Sequence, residues 1–325
     1  MPLAPARARD ALVRALVTGA AGFIGSHLSE RLLRDGATVI GLDALTDYYS
    51  RDRKERNLID LRGRAGFTFT EASLSDADLS SLLDDVTHVF HLAAQPGVRK
   101  SWGRDFRVYT VNNVDATQTL LEACKGRPIE RLVFASSSSV YGDEVPLPMR
   151  EHAHLQPVSP YGVTKLAAEH LCHLYHANHG VPTVSLRYFT VYGPRQRPDM
   201  GFSRFLRAAM RGDAVTQFGD GRQTRDFTFV ADAVAATVAA ATRGTPGTVY
   251  NIGGGTRVEL LDVFRLIEGI TGQPLRIEQV DTQHGDMRDT YADTSRARAE
   301  LAFSPAVALD AGLRAQYDWI VAEHE

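Results

Sequence analysis

The string TGAAGFIG at residues 18–25 restricts this chain most, because it follows a short β-branched run and opens an apolar segment of helical period. Glycines at 19, 22 and 25 leave a turn free of side chains, and a helix behind it would offer unpaired amides and a positive dipole end. Such a turn serves either tight packing or a pyrophosphate. Its surroundings favour the second use. Between residues 14 and 187 short strand-like runs, expected at 15–18, 38–42, 67–71, 88–91, 131–136 and 183–186, alternate with longer helical segments, notably 108–124 and 161–179. That alternation is the pattern of a parallel sheet with crossover helices.

The expected fold is therefore α/β, a doubly wound parallel Rossmann sheet with its ligand site at the carboxyl ends of the strands. After residue 187 the texture changes. Prolines and glycines cluster at 193–221, helices are expected at 202–211, 231–241 and 260–270, and short strands at 215–218 and 248–252. The predicted organisation is a loose tail over 1–12, a dinucleotide-binding domain over 13–187, and a smaller C-terminal substrate-binding lobe over most of 188–325. Segments near 228–252 are expected to return to the first domain.

Composition removes several classes. No apolar run reaches the roughly 18 residues of a membrane span. A net charge of -3, spread along the chain, leaves no basic stripe for nucleic acid. The two cysteines, Cys124 and Cys172, fall in helical patterns and suit a reducing, cytoplasmic setting. His170, His173, His176 and His179 recur every three residues, which spreads them around a helix instead of converging on a metal, so no metal is expected. The 36 basic residues divide into 32 arginines and four lysines, Lys54, Lys100, Lys125 and Lys165. Codon bias explains the arginines, and it makes each lysine worth attention.

Asp43 ends the second expected strand, near the roughly 20-residue offset at which a carboxylate accepts ribose hydroxyls. Ala44 and Leu45 follow it, so a 2′-phosphate would meet bare negative charge, and NAD is expected over NADP. Tyr161 and Lys165 form Y-x-x-x-K, one helical turn apart on one face. A phenol is a weak base at neutral pH unless nearby positive charge favours the phenolate. Upstream, residues 135–142 read ASSSSVYG, a string able to donate to a carbonyl or anionic oxygen.

These motifs, with HLAAQPGVRKS at 91–101, SPYGVTK at 159–165, RYFTVYGPRQRPDM at 187–200, GRQTRDFTFVADA at 221–233 and YNIGGG from Tyr250, resemble the extended short-chain dehydrogenase/reductase family of nucleotide-sugar epimerases, dehydratases and decarboxylases. The resemblance implies a tightly held NAD that takes a hydride from the sugar's fourth carbon and returns it. By motif position it implies Tyr161 as base, Lys165 holding the nicotinamide ribose and lowering the tyrosine pKa, and Ser137 hydrogen-bonded to the same oxygen. Cofactor contacts are implied at Gly19, Gly22, Phe23, Ile24, Gly25, Asp43, Leu92, Ala93 and Ala94. Substrate contacts are implied at Arg99, Arg225 and Arg288. Where many relatives place an aspartate for the adenine amino group, this chain has Ser73.

The departures narrow the reaction. The 4,6-dehydratases carry an acid and a base where this chain has Ser138 and Ser139, which argues against dehydration. Thr190 within RYFTVYG, followed by RPDM, resembles the UDP-glucuronate 4-epimerases. Oxidising a uronic acid at its fourth carbon makes a β-keto acid, which loses carbon dioxide unless its carboxylate is restrained. Thr190, Arg197, Ser138 and Ser139 are the expected restraints. A UDP-glucose/UDP-galactose 4-epimerase is the main alternative; a UDP-glucuronate decarboxylase and a non-catalytic NAD-binding regulator are weaker ones. The family also implies a homodimer, formed through the helices at 108–124 and 161–179.

Overall fold

The central strands are almost uniformly apolar because both of their faces are covered, as parallel sheets require. The computed structural model describes residues 13–283 and 285–323, so the expected tail over 1–12 lies outside the described residues. Seven strands form one sheet: β1 (Arg14–Thr18), β2 (Thr38–Asp43), β3 (Phe67–Glu71), β4 (His88–His91), β5 (Arg131–Ser137), β6 (Thr183–Tyr188) and β7 (Val249–Ile252). Their spatial order is β7-β6-β5-β4-β1-β2-β3 and every pairing is parallel. The order reverses between β1 and β4. A crevice must open there, beyond the carboxyl ends of the strands.

Successive residues of a strand face opposite sides, and the two cores divide accordingly. Ala15 and Val17 pack with Leu28 and Leu32 of the helix Phe23–Arg34 and with Ala233, Ala236 and Ala240 of the helix Val230–Arg243. Leu16, Val89 and Leu132 pack on the other face with Leu120, Leu121, Ala168 and Cys172. Each such leucine contributes about 1.5–3 kcal/mol by leaving water. A third cluster joins Phe202, Phe205, Val263, Phe264, Leu313 and Ile320 on the helices Gly201–Arg211, Leu260–Thr271 and Leu309–Ala322. The chain lays down the first of these helices between β6 and β7, pairs Val249 with Ser185 to re-enter the sheet, and returns to the layer with the other two.

One expected helix differs in detail. The segment predicted over 108–124 is α-helical at Phe106–Tyr109 and Ala116–Cys124, with a π-helical stretch at Thr110–Asp115 between them. The widened turn brings the buried Asn113 amide inward. It accepts from the Gln95 N–H at 2.6 Å and donates to Gln95 O at 3.1 Å and to Thr164 Oγ at 3.0 Å. Three hydrogen bonds made away from water account for the irregular turn. Among the described residues no helix is long and apolar enough to cross a membrane.

Candidate active site

A cleft of about 880 Å³ lies at the carboxyl ends of the strands, floored by the glycine turn on one side and walled by the third cluster on the other. Gly19 has φ +74°, and a Cβ there would lie 2.8 Å from Ala93 N; one on Gly25 would lie 2.0 Å from Gly19 O. These positions admit no side chain, so backbone alone faces the cleft. The helix Phe23–Arg34 starts at this turn and aims its first amides at the same space. At the end of β2, Asp43 accepts N–H bonds from Ala21 at 3.1 Å and Leu45 at 2.8 Å. Burial raises its pKa, against those bonds and the Lys54 charge. Lys54 donates to Thr46 O at 2.6 Å. A cradle without side chains beside a fixed carboxylate fits a dinucleotide's pyrophosphate and ribose.

The next wall carries the acid–base groups. Ser159 caps the helix Pro160–His179, accepting from Gly162 N–H at 3.1 Å, and Pro160 occupies the first turn where its missing N–H costs nothing. This start places Tyr161 at the cleft, with its N–H donating to Ser101 Oγ at 3.1 Å and its ring edge-on to Tyr109 at 6.3 Å. Burial raises the Tyr161 pKa, while a hydrogen bond with Ser137 and the charge of Arg197 pull it down. The sequence expectation assigned that pull to Lys165. Lys165 is itself buried, its ammonium 4.4 Å from the Phe134 ring centroid, and burial lowers its pKa to about 8. Below it Glu169 accepts from Ser136 Oγ at 2.7 Å and makes a two-pronged pair with Arg187, fixing the strand end that carries Ser137.

Across the cleft Arg197, Arg99 and Arg225 each already have a partner. Arg197 Nε and Nη2 reach the two Asp199 oxygens at 3.0 and 3.1 Å. Arg99 clasps Asp286, with Nη2 at 2.5 Å, and stacks 3.9 Å from the Phe218 ring centroid. Arg225 donates to the backbone carbonyls of Thr224, Met287 and Arg288 at 2.8, 2.6 and 2.8 Å. Burial lowers its pKa.

All but one of the expected site residues line this single cleft: Gly19, Gly22, Phe23, Ile24, Gly25, Asp43, Leu92, Ala93, Ala94, Arg99, Ser137, Ser138, Ser139, Tyr161, Lys165, Thr190, Arg197 and Arg225. The exception is Arg288. Its exposed side chain turns to Asp220 at 3.2 Å, because its backbone N–H and C=O are tied to Asp143 and Arg225. Ser73 lines the cleft with its hydroxyl donating to Asp76 at 2.6 Å. Sequence reasoning passed over Tyr48, Lys54, Lys100 and Asp199, which also line it. Lysine scarcity was the available signal: three of the four lysines are at this cleft.

Residues 15–253 match the NAD dependent epimerase/dehydratase family. The chain is 47% identical over 305 residues to an uncharacterized UDP-glucose epimerase, YtcB, of Bacillus subtilis, covering 93% of this chain and 96% of that one. It is 35% identical over 309 residues to a UDP-glucuronate 4-epimerase of Thermodesulfobacterium geofontis, covering 94% and 95%. Among solved structures, UDP-glucuronic acid 4-epimerase of Bacillus cereus in complex with UDP-glucuronic acid and NAD superposes with a TM-score of 0.93 at 45% identity, covering 96% of this chain and all of that one. With the glycine cradle, the Tyr161–Lys165 helix and the seven-stranded sheet in one arrangement, the chain belongs to the NAD dependent epimerase/dehydratase family.

Proposed function

We propose that the protein inverts the fourth carbon of a UDP-sugar, with UDP-glucuronate and UDP-galacturonate as its principal pair. One observation carries the choice of a uronate: Arg197, a group able to bind a carboxylate, lines the same cleft as Tyr161 and Ser137. NAD, when bound, supplies the acceptor and then the donor of hydride at that carbon. Gly19, Gly22 and Gly25 would hold its pyrophosphate, and Asp43 its adenosine ribose.

The chain's own residues manage the proton and the pose. Tyr161 takes the 4-hydroxyl proton and later returns it, while Ser137 hydrogen-bonds to the same oxygen and stabilises developing charge. Lys165 holds the nicotinamide ribose with a compact ammonium that an arginine's broad fork would not replace. Thr190, Arg197, Ser138 and Ser139 hold the uronate carboxylate out of line with the new carbonyl, which suppresses loss of carbon dioxide. Arg99 and Arg225 face the diphosphate.

A UDP-glucose epimerase is the second reading. It is favoured by the Arg197–Asp199 pair, which leaves no bare charge when the sugar is neutral. The two are separated by incubating the NAD-loaded protein with UDP-glucuronate and with UDP-glucose and following anomeric protons by NMR. UDP-galacturonate should appear, and Tyr161→Phe should abolish it. Conversion of UDP-glucose alone would replace the first reading with the second.

The exposed Trp102, Phe106, Val108, Val111, Val163 and Leu174 lie on or beside the segments 106–124 and 160–179. These apolar positions support a homodimer closed by those helices. Two free, buried cysteines support a reducing cytoplasmic setting.

A further inference from the structure

Asp199 lines the cleft with its carboxylate on Arg197, the group proposed to receive a uronate's own carboxylate. Its two oxygens occupy Nε and Nη2 of Arg197, leaving the Nη1 edge of the guanidinium for anything else. Burial works against its charge, yet Arg197, a backbone N–H and Tyr48 hold its pKa below the usual carboxylate range. Tyr48 donates to Asp199 Oδ2 at 3.2 Å from the loop after β2. That phenol is wedged, since a Cβ on Gly97 would lie 2.3 Å from its oxygen. Lys100 completes the group with its ammonium 5.1 Å from the Tyr48 ring centroid.

We infer that Asp199 sets the selectivity between charged and neutral sugars, by acting as the counter-ion of Arg197 whenever the sugar brings none. The inference rests on the proposed function and deepens it. With a neutral hexose in place, an arginine without Asp199 would be left desolvated and unpaired, which costs more than a complete pair. A uronate must instead share Arg197 with a second negative charge, which weakens its hold. The wild-type site therefore gives up affinity for uronates and gains tolerance of neutral sugars. Asp199→Asn removes the counter-charge while keeping the size and most hydrogen-bonding capacity of the side chain.

The test is calorimetric titration of NAD-loaded wild-type, Asp199→Asn and Tyr48→Phe proteins with UDP-glucuronate and with UDP-glucose, alongside NMR turnover. Asp199→Asn should move the ratio of the two dissociation constants about tenfold or more toward the uronate, the size of a lost charge-assisted contact. Tyr48→Phe, which loosens Asp199 without touching its charge, should move the ratio the same way by about two- to threefold. It carries the test if the first variant fails to fold. An unchanged ratio, or a shift toward UDP-glucose, overturns the role of Asp199. Failure of the wild-type protein to epimerise UDP-glucuronate overturns the proposed function instead, and the affinity ratio still decides the Asp199 question.

Discussion

The two ends of the cleft are built from different material. On the cofactor side the surface is backbone: Gly19 and Gly25 admit no Cβ, and Asp43 is pinned by two amides. On the substrate side it is long side chains, and Arg99, Arg197 and Arg225 are each engaged by a carboxylate or by carbonyls. A backbone surface cannot be retuned by one substitution without distorting the fold around it. A surface of paired side chains can, since exchanging one partner redirects the other. The contrast matches the chemistry, in which one cofactor serves a family whose sugars differ.

Breaking the backbone side should have the largest effect. Gly25→Ala puts a Cβ against the Gly19 carbonyl, and because backbone cannot step aside like a flexible side chain, the turn must open. The variant should purify without NAD and without turnover on any UDP-sugar, as assayed by NAD released on denaturation. Normal NAD content would show that the turn yields more easily than its contacts imply.

The next effect concerns Lys165, a buried cation at the cleft. Its pKa is drawn from 10.5 down to about 8 by burial. Below pH 8 the NAD-free folded protein carries a desolvated ammonium that the unfolded chain hydrates freely. Between pH 8 and 10.5 the folded form has lost this proton while the unfolded chain keeps it, so stability rises with pH across that window. The relief is about 3 kcal/mol by pH 10.5. Denaturant unfolding of Lys165→Met, compared with wild type at pH 7.5 and 10, should lack this rise; parallel behaviour would put the Lys165 charge in water.

Smaller again is Arg197→Ala, which opens the substrate side alone. Loss of a charge-assisted contact should weaken uronate binding by about 1.5–3 kcal/mol. It should also raise UDP-pentose relative to UDP-galacturonate in the NMR assay, with NAD content unchanged. A constant product ratio would remove Arg197 from the carboxylate site.

The same contrast explains what could be read in advance. The cofactor side was legible because a backbone site leaves glycines at fixed spacing, an acidic residue at the end of β2, and Y-x-x-x-K on one helical face. The substrate side was legible only as single side chains, the arginines together with Thr190, Ser138 and Ser139. Arg197 finds Asp199 two residues on, but the other contacts come from distant segments: Asp286 lies 187 residues from Arg99, Met287 lies 62 from Arg225, and Tyr48 lies 151 from Asp199. No local period encodes such pairs. The π-helical turn was hidden for a related reason, because it follows from the tertiary pairing of Asn113 with Gln95, while the apolar spacing around it is that of an ordinary helix. The rare lysines spoke more plainly. Lys54, Lys100 and Lys165 line the cleft, and Lys125 alone pairs with a neighbour, Glu122, on an exposed helix end.

Arg288→Ala should have the smallest effect, and it tests whether the substrate side is assembled before ligand arrives. The position matters through its backbone, whose N–H meets Asp143 Oδ1 at 2.8 Å and whose C=O receives Arg225 Nη1 at 2.8 Å. Among the described residues the side chain makes only an exposed pair with Asp220, of the kind that contributes little. Alanine keeps both backbone bonds, so Arg225 should stay in place and UDP-sugar affinity should change by less than about twofold. Arg225→Ala, by contrast, releases the 287–288 segment and should weaken binding far more. A tenfold loss in Arg288→Ala, measured by the same titration, would mean that its guanidinium leaves Asp220 and enters the cleft with the ligand. The substrate side would then be completed by binding, and its difference from the preformed glycine cradle would be one of timing as well as material.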